Sequence, residues 1–294
     1  MINPLFVHIE LTQNCPLNCN QCYVKLDNYN ELDWEMCKNI IYQLKDIDVS
    51  QILLTGGEPL LYHKLIDCIK LIRSCNIFCS MSSSGFGLNE ELCENLKQAD
   101  INEIYISLNG SSAEIHNKSR SHFEFAIDAI QMIKKYDIFC GINWVARHDN
   151  FMDFAQLYKF TRTLGVDKIV VLSNKKSTDG IVHSELDFDE VDILLKNINS
   201  IRDSEHVNYI DIDPCFTSLI NKSKENRVTY YFNQFNGGKS FFDILSNGNF
   251  TPCRHLCLAG KYNISNTSLK NYWNNSNELS YYRNVHSNYK HCQM

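Results

Sequence analysis

The chain has 294 residues, 44% hydrophobic and 21% charged, with 5 Pro and 12 Gly. That composition excludes the disordered and collagen-like classes and leaves room for two domains, or for one large domain with an appendage. A formal net charge of −6 supplies no basic field to draw nucleic acid or anionic lipid.

In chain order, β-rich runs at 5–11, 51–55, 77–82, 103–109, 138–146 and 168–173 alternate with helix-period stretches near 34–46, 60–74, 89–98, 122–136 and 151–164. Such alternation predicts βαβ units on a parallel sheet. Six units fall short of the eight of a closed barrel, so the expected fold is α/β, a partial (β/α)6 barrel with its chemistry at the C-terminal ends of the strands. The pattern breaks after Ser173. A polar, turn-rich stretch at 174–184 precedes an acidic helix candidate near 187–202, and from about 205 small hydrophobic clusters alternate with Asn, Gly and Ser. The expected organisation is a barrel core over 1–180, a linker helix over 181–204 and a small α+β module over 205–294. No run reaches the ~18 apolar residues of a membrane span and residues 1–16 lack the basic segment of an export signal, so a cytoplasmic protein with no membrane partner is expected.

Thirteen cysteines in a chain without an export signal read as reduced thiols or metal ligands rather than a disulfide framework. Cys37, Cys68, Cys75, Cys79, Cys93 and Cys140 are scattered through helix- and strand-like stretches and read as small core hydrophobes, although one could serve as a hydrogen-atom donor. Cys15, Cys19 and Cys22 differ: "CPLNCNQC" places three thiols at C-x3-C-x2-C in the loop after the first predicted strand. Thiolates ligate iron-sulfur clusters and structural zinc, and three of them leave one coordination position open unless a distant His or Cys completes a zinc site. One βα unit later, "GGEP" ends the second strand; Gly56 and Gly57 permit close backbone approach, and Glu58 can accept hydrogen bonds from a ligand ammonium.

Together these motifs resemble those of the radical S-adenosylmethionine (SAM) enzymes. The resemblance implies that Cys15, Cys19 and Cys22 hold three irons of a 4Fe-4S cluster whose fourth iron chelates SAM, and that reductive cleavage yields a 5′-deoxyadenosyl radical. Gln21 stands where the family commonly has an aromatic residue. By the same resemblance, Gly56, Gly57 and Glu58 hold the methionyl amino group. "MSSSGFG" is similar to the family's ribose-side turn, through Ser83, Ser84 and Gly85. Ser107 and Arg120 match a further segment, in which Asn109 replaces the common Asp. Asn143 lies on the fifth strand, whose end faces the cofactor in that family; Arg147 and Asn150 follow it. As residues alone, Arg147 reads as a solvated charge, Trp144 as core and His116 as a cap or packing residue.

A second cysteine set follows the break. Gly248-x4-Cys253, Cys257, Cys215 and Cys292 resemble the auxiliary-cluster module of the SPASM and twitch branches, which implies one further 4Fe-4S cluster; a structural zinc site, with His255 or His291 among its ligands, is the competing reading. Enzymes with this module commonly modify ribosomally made peptides, by crosslinking or epimerisation. The implied partners are a peptide substrate, an electron donor such as flavodoxin or ferredoxin, and a separate leader-recognition protein or the barrel surface itself, since no obvious peptide-recognition domain precedes residue 5. A dehydrogenase or rearrangement enzyme acting on a small metabolite is the alternative, and a non-catalytic iron-sulfur or zinc adaptor the third.

Overall fold

Strands β1 (Phe6–Thr12), β2 (Gln51–Gly56), β3 (Phe78–Ser83), β4 (Glu103–Ser107), β5 (Phe139–Ala146) and β6 (Lys168–Ser173) pair in parallel in chain order. The computed structural model describes residues 3–24, 30–177, 180–205, 209–216, 220, 223–225, 236–256 and 261–284. Cys257, His291 and Cys292 therefore lie outside the described residues. Helices α1 (Trp34–Asp46), α2 (Leu65–Ser74), α3 (Glu90–Gln98), α4 (Ala113–His116), α5 (Phe123–Lys135) and α6 (Phe154–Thr163) fall between the strands, and α7 (Phe188–Glu205) follows β6.

Each parallel strand alternates. Val7, Ile9 and Leu11 on β1, Ile52 and Leu54 on β2, Ile104 and Ile106 on β4, and Ile142 and Trp144 on β5 are buried on one face, in a single core with Ile40, Ile69, Leu96, Ile130 and Leu157 of the helices. The other face carries His8, Glu10, Gln51, Ser80, Ser82, Tyr105 and Asn143. Parallel sheets covered on both faces read as continuous apolar runs, so this alternation marks a sheet with helices on one side and a polar face on the other. Across that face Gln51 donates to Ser80 Oγ at 3.1 Å and Asn143 Nδ2 to Ser82 Oγ at 3.0 Å. The six scattered cysteines are all buried, as packing residues should be.

The sheet continues past the six strands that periodicity reveals. β7 (Ile210–Ile212) pairs in parallel with β6, and β8 (Phe241–Ile244) pairs in parallel with the far side of β1. The antiparallel strands β9 (Asn249–Thr251) and β10 (Tyr262–Asn263) complete a ten-stranded order β10-β9-β8-β1-β2-β3-β4-β5-β6-β7. Helices α8 (Leu269–Asn275) and α9 (Asn277–Asn284) follow, with Tyr272 and Trp273 against Phe242 of β8. Residues beyond 205 thus both extend the barrel sheet and build the β8–β9 hairpin that Cys253 follows.

Candidate metal and cofactor site

The cysteine loop leaves β1 at the C-terminal end of the sheet and is fastened there by backbone. Gly57 N–H donates to Thr12 O at 2.7 Å and Glu58 N–H to Asn14 O at 2.8 Å. This approach requires glycine. A Cβ on Gly57 would sit 2.5 Å from Asn14 O, and one on Gly56, whose φ is +142°, would sit 2.3 Å from Thr12 O. The two glycines therefore dock β2 against the cysteine loop.

Glu58 is fully buried. Its Oε1 accepts from Ser83 Oγ at 2.7 Å and from Leu60 N–H at 3.1 Å, while Oε2 accepts from the Ser84 N–H at 2.8 Å and from the Ser84 hydroxyl. Burial pushes the carboxyl above its usual range, and these four donors work against that shift. A carboxylate offers about four lone-pair sites, and all are taken. In this arrangement Glu58 ties the end of β2 to the Ser83–Ser84 turn, and a ligand ammonium would have to displace one of the donors.

The three thiols lie within electrostatic reach of one another: Cys19 and Cys22 both act on Cys15. Burial pushes the Cys15 thiol up to about 11 and also raises that of Cys22, against which the Arg120 cation works. Among the described residues, no three Cys, His, Asp or Glu side chains are gathered into a ready metal cage. The donor set nonetheless suits an iron-sulfur cluster, because soft thiolates on one short loop are its ordinary ligands. Two buried donors near Cys22 also lack acceptors, Gln21 Nε2 and Arg120 Nε.

Gln21, noted in the sequence only as a departure, is 8% exposed and joins three elements. Its Oε1 accepts from Asn109 Nδ2 and from Arg147 Nη1, both at 3.1 Å. Both neighbours are donors, which fixes the amide with its oxygen toward them. Asn109 is held in turn by Ser119 Oγ at 2.8 Å and by the Val145 N–H at 3.2 Å. Arg147 is not the solvated charge expected from sequence. It is 2% exposed and bidentate to Asp149 at 2.9 and 3.0 Å, since a buried guanidinium needs an ion partner. Asn150 Nδ2 bonds the carbonyls of Asn109 and Val145 at 3.0 and 2.9 Å. His116 is buried and accepts the Asn109 N–H at Nδ1; burial, followed by Arg120, holds it down to about 4. Ser107 ends β4 in register with Asn143. Trp144 is core, 4.9 Å from the Phe154 ring.

At the other side of β1, Glu10 Oε1 accepts from Ser246 Oγ at 2.8 Å and from Gln13 Nε2 at 3.2 Å, linking the cysteine loop to the β8–β9 hairpin. Cys253 follows that hairpin and its thiol is pushed up to about 12 by burial, with Asp243 and Cys215 adding to the shift. Cys215 itself lies just past β7, in the short turn Pro214–Phe216. Burial pushes the Asp213 carboxyl up, but Lys175 Nζ, 3.0 Å from Oδ2, and the Cys215 N–H, 3.0 Å from Oδ1, together hold it below the ordinary carboxylate range. Lys175 and Asp213 had no distinguishing signal in the sequence.

A parallel partial barrel with a thiol loop docked on a Gly-Gly-Glu turn at its strand ends defines a class of cofactor-dependent enzymes. Residues 9–161 match the Radical SAM superfamily model, and the chain belongs to that superfamily, whose enzymes use a 4Fe-4S cluster and S-adenosylmethionine. An uncharacterised protein of Methanocaldococcus jannaschii is 29% identical over 171 residues, covering 55% of this chain and 59% of that protein. Among solved structures, SuiB of Streptococcus suis bound to the precursor peptide SuiA superposes with a TM-score of 0.83 at 17% identity, over 97% of this chain and 68% of that one. Native anSMEcpe with bound AdoMet gives 0.76 at 20% identity, over 95% and 83%. BtrN in complex with AdoMet and 2-DOIA gives 0.51 at 14% identity, over 95% and 85%. No helix among the described residues is long and apolar enough to cross a membrane.

Proposed function

We propose that this chain is a peptide-modifying radical SAM enzyme, which takes a hydrogen atom from a ribosomally made peptide and so leads to a crosslink or an epimerised residue. Cys15, Cys19 and Cys22 would hold the cluster; Gly56, Gly57, Glu58, Ser83, Ser84, Ser107, Asn109, Arg120 and Asn143 would form the face presented to SAM. Cys215 and Cys253, with Cys257 and Cys292, would hold an auxiliary cluster. When bound, the first cluster would supply one-electron reductive cleavage of the C5′–S bond of SAM, with the electron drawn from a flavodoxin- or ferredoxin-class donor, giving methionine and a 5′-deoxyadenosyl radical to take the peptide hydrogen.

The residues of this chain position and shield that chemistry. The Gly57 and Glu58 backbone bonds fix where the thiol loop leaves the sheet, and the Gln21–Arg147 contact fixes its far end. Helices cover one face of the sheet and leave the polar face, with Ser82, Tyr105 and Asn143, to meet a hydrogen-bonding ligand. The observation that carries the peptide reading is whole-chain likeness to SuiB and anSMEcpe, both solved with peptides, at higher TM-scores than to BtrN.

The test is anaerobic reconstitution followed by reduction with dithionite in the presence of SAM. Formation of 5′-deoxyadenosine, with about eight irons per chain, is expected if both sites bind 4Fe-4S clusters. About four irons with product would remove the auxiliary cluster from the proposal. No product from iron-loaded protein would refute the radical reaction.

A further inference from the structure

Arg254 follows Cys253, and its side chain is 5% exposed. Asp243 Oδ2 stands 3.4 Å from its Nε, but that carboxylate is already engaged. Its Oδ2 accepts the Arg254 backbone N–H at 2.6 Å, and its Oδ1 lies 2.7 Å from His8 Nδ1. Tyr23, by charge and by a side-chain hydrogen bond, and Glu10, by charge, also act on the guanidinium. Even so, none of the buried Nε, Nη1 and Nη2 meets an acceptor in strict hydrogen-bond geometry, and the ring Nδ1 of the adjacent His255 is buried without a partner. The His255 ring packs edge-on against Tyr23, with centroids 4.2 Å apart, so both side chains adjoin the loop that carries Cys22.

Buried donors are costly when unmatched, and three guanidinium nitrogens without a well-aligned acceptor at one place mark where an acceptor belongs. Asp243 is in register with His8, on the polar face of the sheet. Arg254 therefore stands at the edge of the face that the proposed reaction uses. A planar guanidinium matches both oxygens of a carboxylate with parallel N–H donors, a geometry that a carboxamide does not reproduce.

We propose that Arg254 binds the carboxylate of an acidic side chain of the substrate peptide and thereby selects among peptides. This deepens the peptide reading and rests on it. The methionyl carboxylate of SAM has the same chemistry, and the experiment separates the two sources.

Anaerobic calorimetry on the reconstituted holoenzyme with SAM bound compares two end-blocked tripeptides, Ala-Glu-Ala and Ala-Gln-Ala. The Glu peptide is expected to bind about tenfold tighter. Arg254→Gln is expected to erase that difference while the affinity for SAM stays within about twofold. Equal affinities in the unaltered protein, or a preference that survives in Arg254→Gln, would overturn the assignment. A tenfold loss of SAM affinity with the peptide preference intact would give the donors to the methionyl carboxylate instead, and loss of bound iron would give them to the auxiliary cluster; each sinks the proposal. Arg254-dependent binding of succinate, with neither peptide bound, would keep the carboxylate site and refute the peptide reading. If Arg254→Gln does not fold, Asp243→Asn/Arg254→Gln removes the two charges together and supplies the same comparison.

Discussion

The two thiol-bearing regions are built on opposite plans. Cys15, Cys19 and Cys22 come from one eight-residue stretch, and the loop around them is pinned on two sides by matched hydrogen bonds: Gly57 and Glu58 at one end, Gln21 on Asn109 and Arg147 at the other. Cys215 and Cys253 come from segments 38 residues apart in sequence, and their surroundings hold buried charge, with the Arg254 guanidinium nitrogens and the His255 Nδ1 lacking well-aligned partners. Both regions hold unmatched buried groups, Gln21 Nε2 and Arg120 Nε in the first, so what separates them is that neighbouring backbone already fixes the first loop. A site assembled from distant segments depends on tertiary contacts for the same placement.

The largest effect that would sharpen this contrast is on cofactor cleavage. Replacing Cys15, Cys19 and Cys22 together with Ala is expected to reduce 5′-deoxyadenosine formation to background and bound iron by about four per chain. Cys253→Ser is expected to remove a similar amount of iron yet leave measurable cleavage, and equal loss in both variants would erase the distinction between the two regions.

Next in size is the docking of the loop. Gly57→Ala would drive a Cβ against the Asn14 and Gln13 carbonyls, 2.5 and 2.7 Å away. Overpacking against backbone is expected to cost about 3 kcal/mol, read as a fall in the midpoint of chemical denaturation.

The pinned region also predicts a dependence on pH. His116 is held down to about 4 in the folded chain, against roughly 6.5 when unfolded. Between those values the unfolded state binds the extra proton, so stability is full above the upper value and falls as pH drops toward the lower one. The expected loss is up to about 3 kcal/mol. His116→Gln should flatten that slope, measured by denaturation at pH 7 and pH 5.

The smallest effect isolates Gln21. Gln21→Ala removes an acceptor shared by two buried donors and is expected to cost about 1–2 kcal/mol. Gln21→Glu keeps the acceptor toward Arg147 and should recover most of that loss; if both variants are equally stable, the contact to Asn109 and Arg147, just past β4 and β5, does not fasten the loop.

The alternation of β1 to β6 and the thiol spacing were legible because both are short-range patterns. β7 and β8 were not, being only three and four residues long and recognisable mainly by what they pair with. Arg147 shows the same limit within the site: its charge reads as solvated until Asp149 and a residue 126 positions away, Gln21, enclose it. The glycines of the Gly-Gly-Glu turn were readable as a place of close approach, but the partner they approach, the Thr12 and Asn14 carbonyls, comes from the fold. Glu58 likewise reads as an available acceptor until Ser83 and Ser84 are placed beside it.

The pairing of β1 with β8 sets an order of events in biosynthesis. Phe6 aligns with Phe241, so while the ribosome has made only the first six strands, one edge of β1 has no neighbour and the thiol loop is missing its Glu10–Ser246 tie. At roughly 5–20 residues per second that interval lasts about 3–14 s. An open strand edge beside three thiols is a site for mispairing with another nascent chain. Expression conditions that slow translation should therefore lower the soluble yield more than a comparable slowing after release.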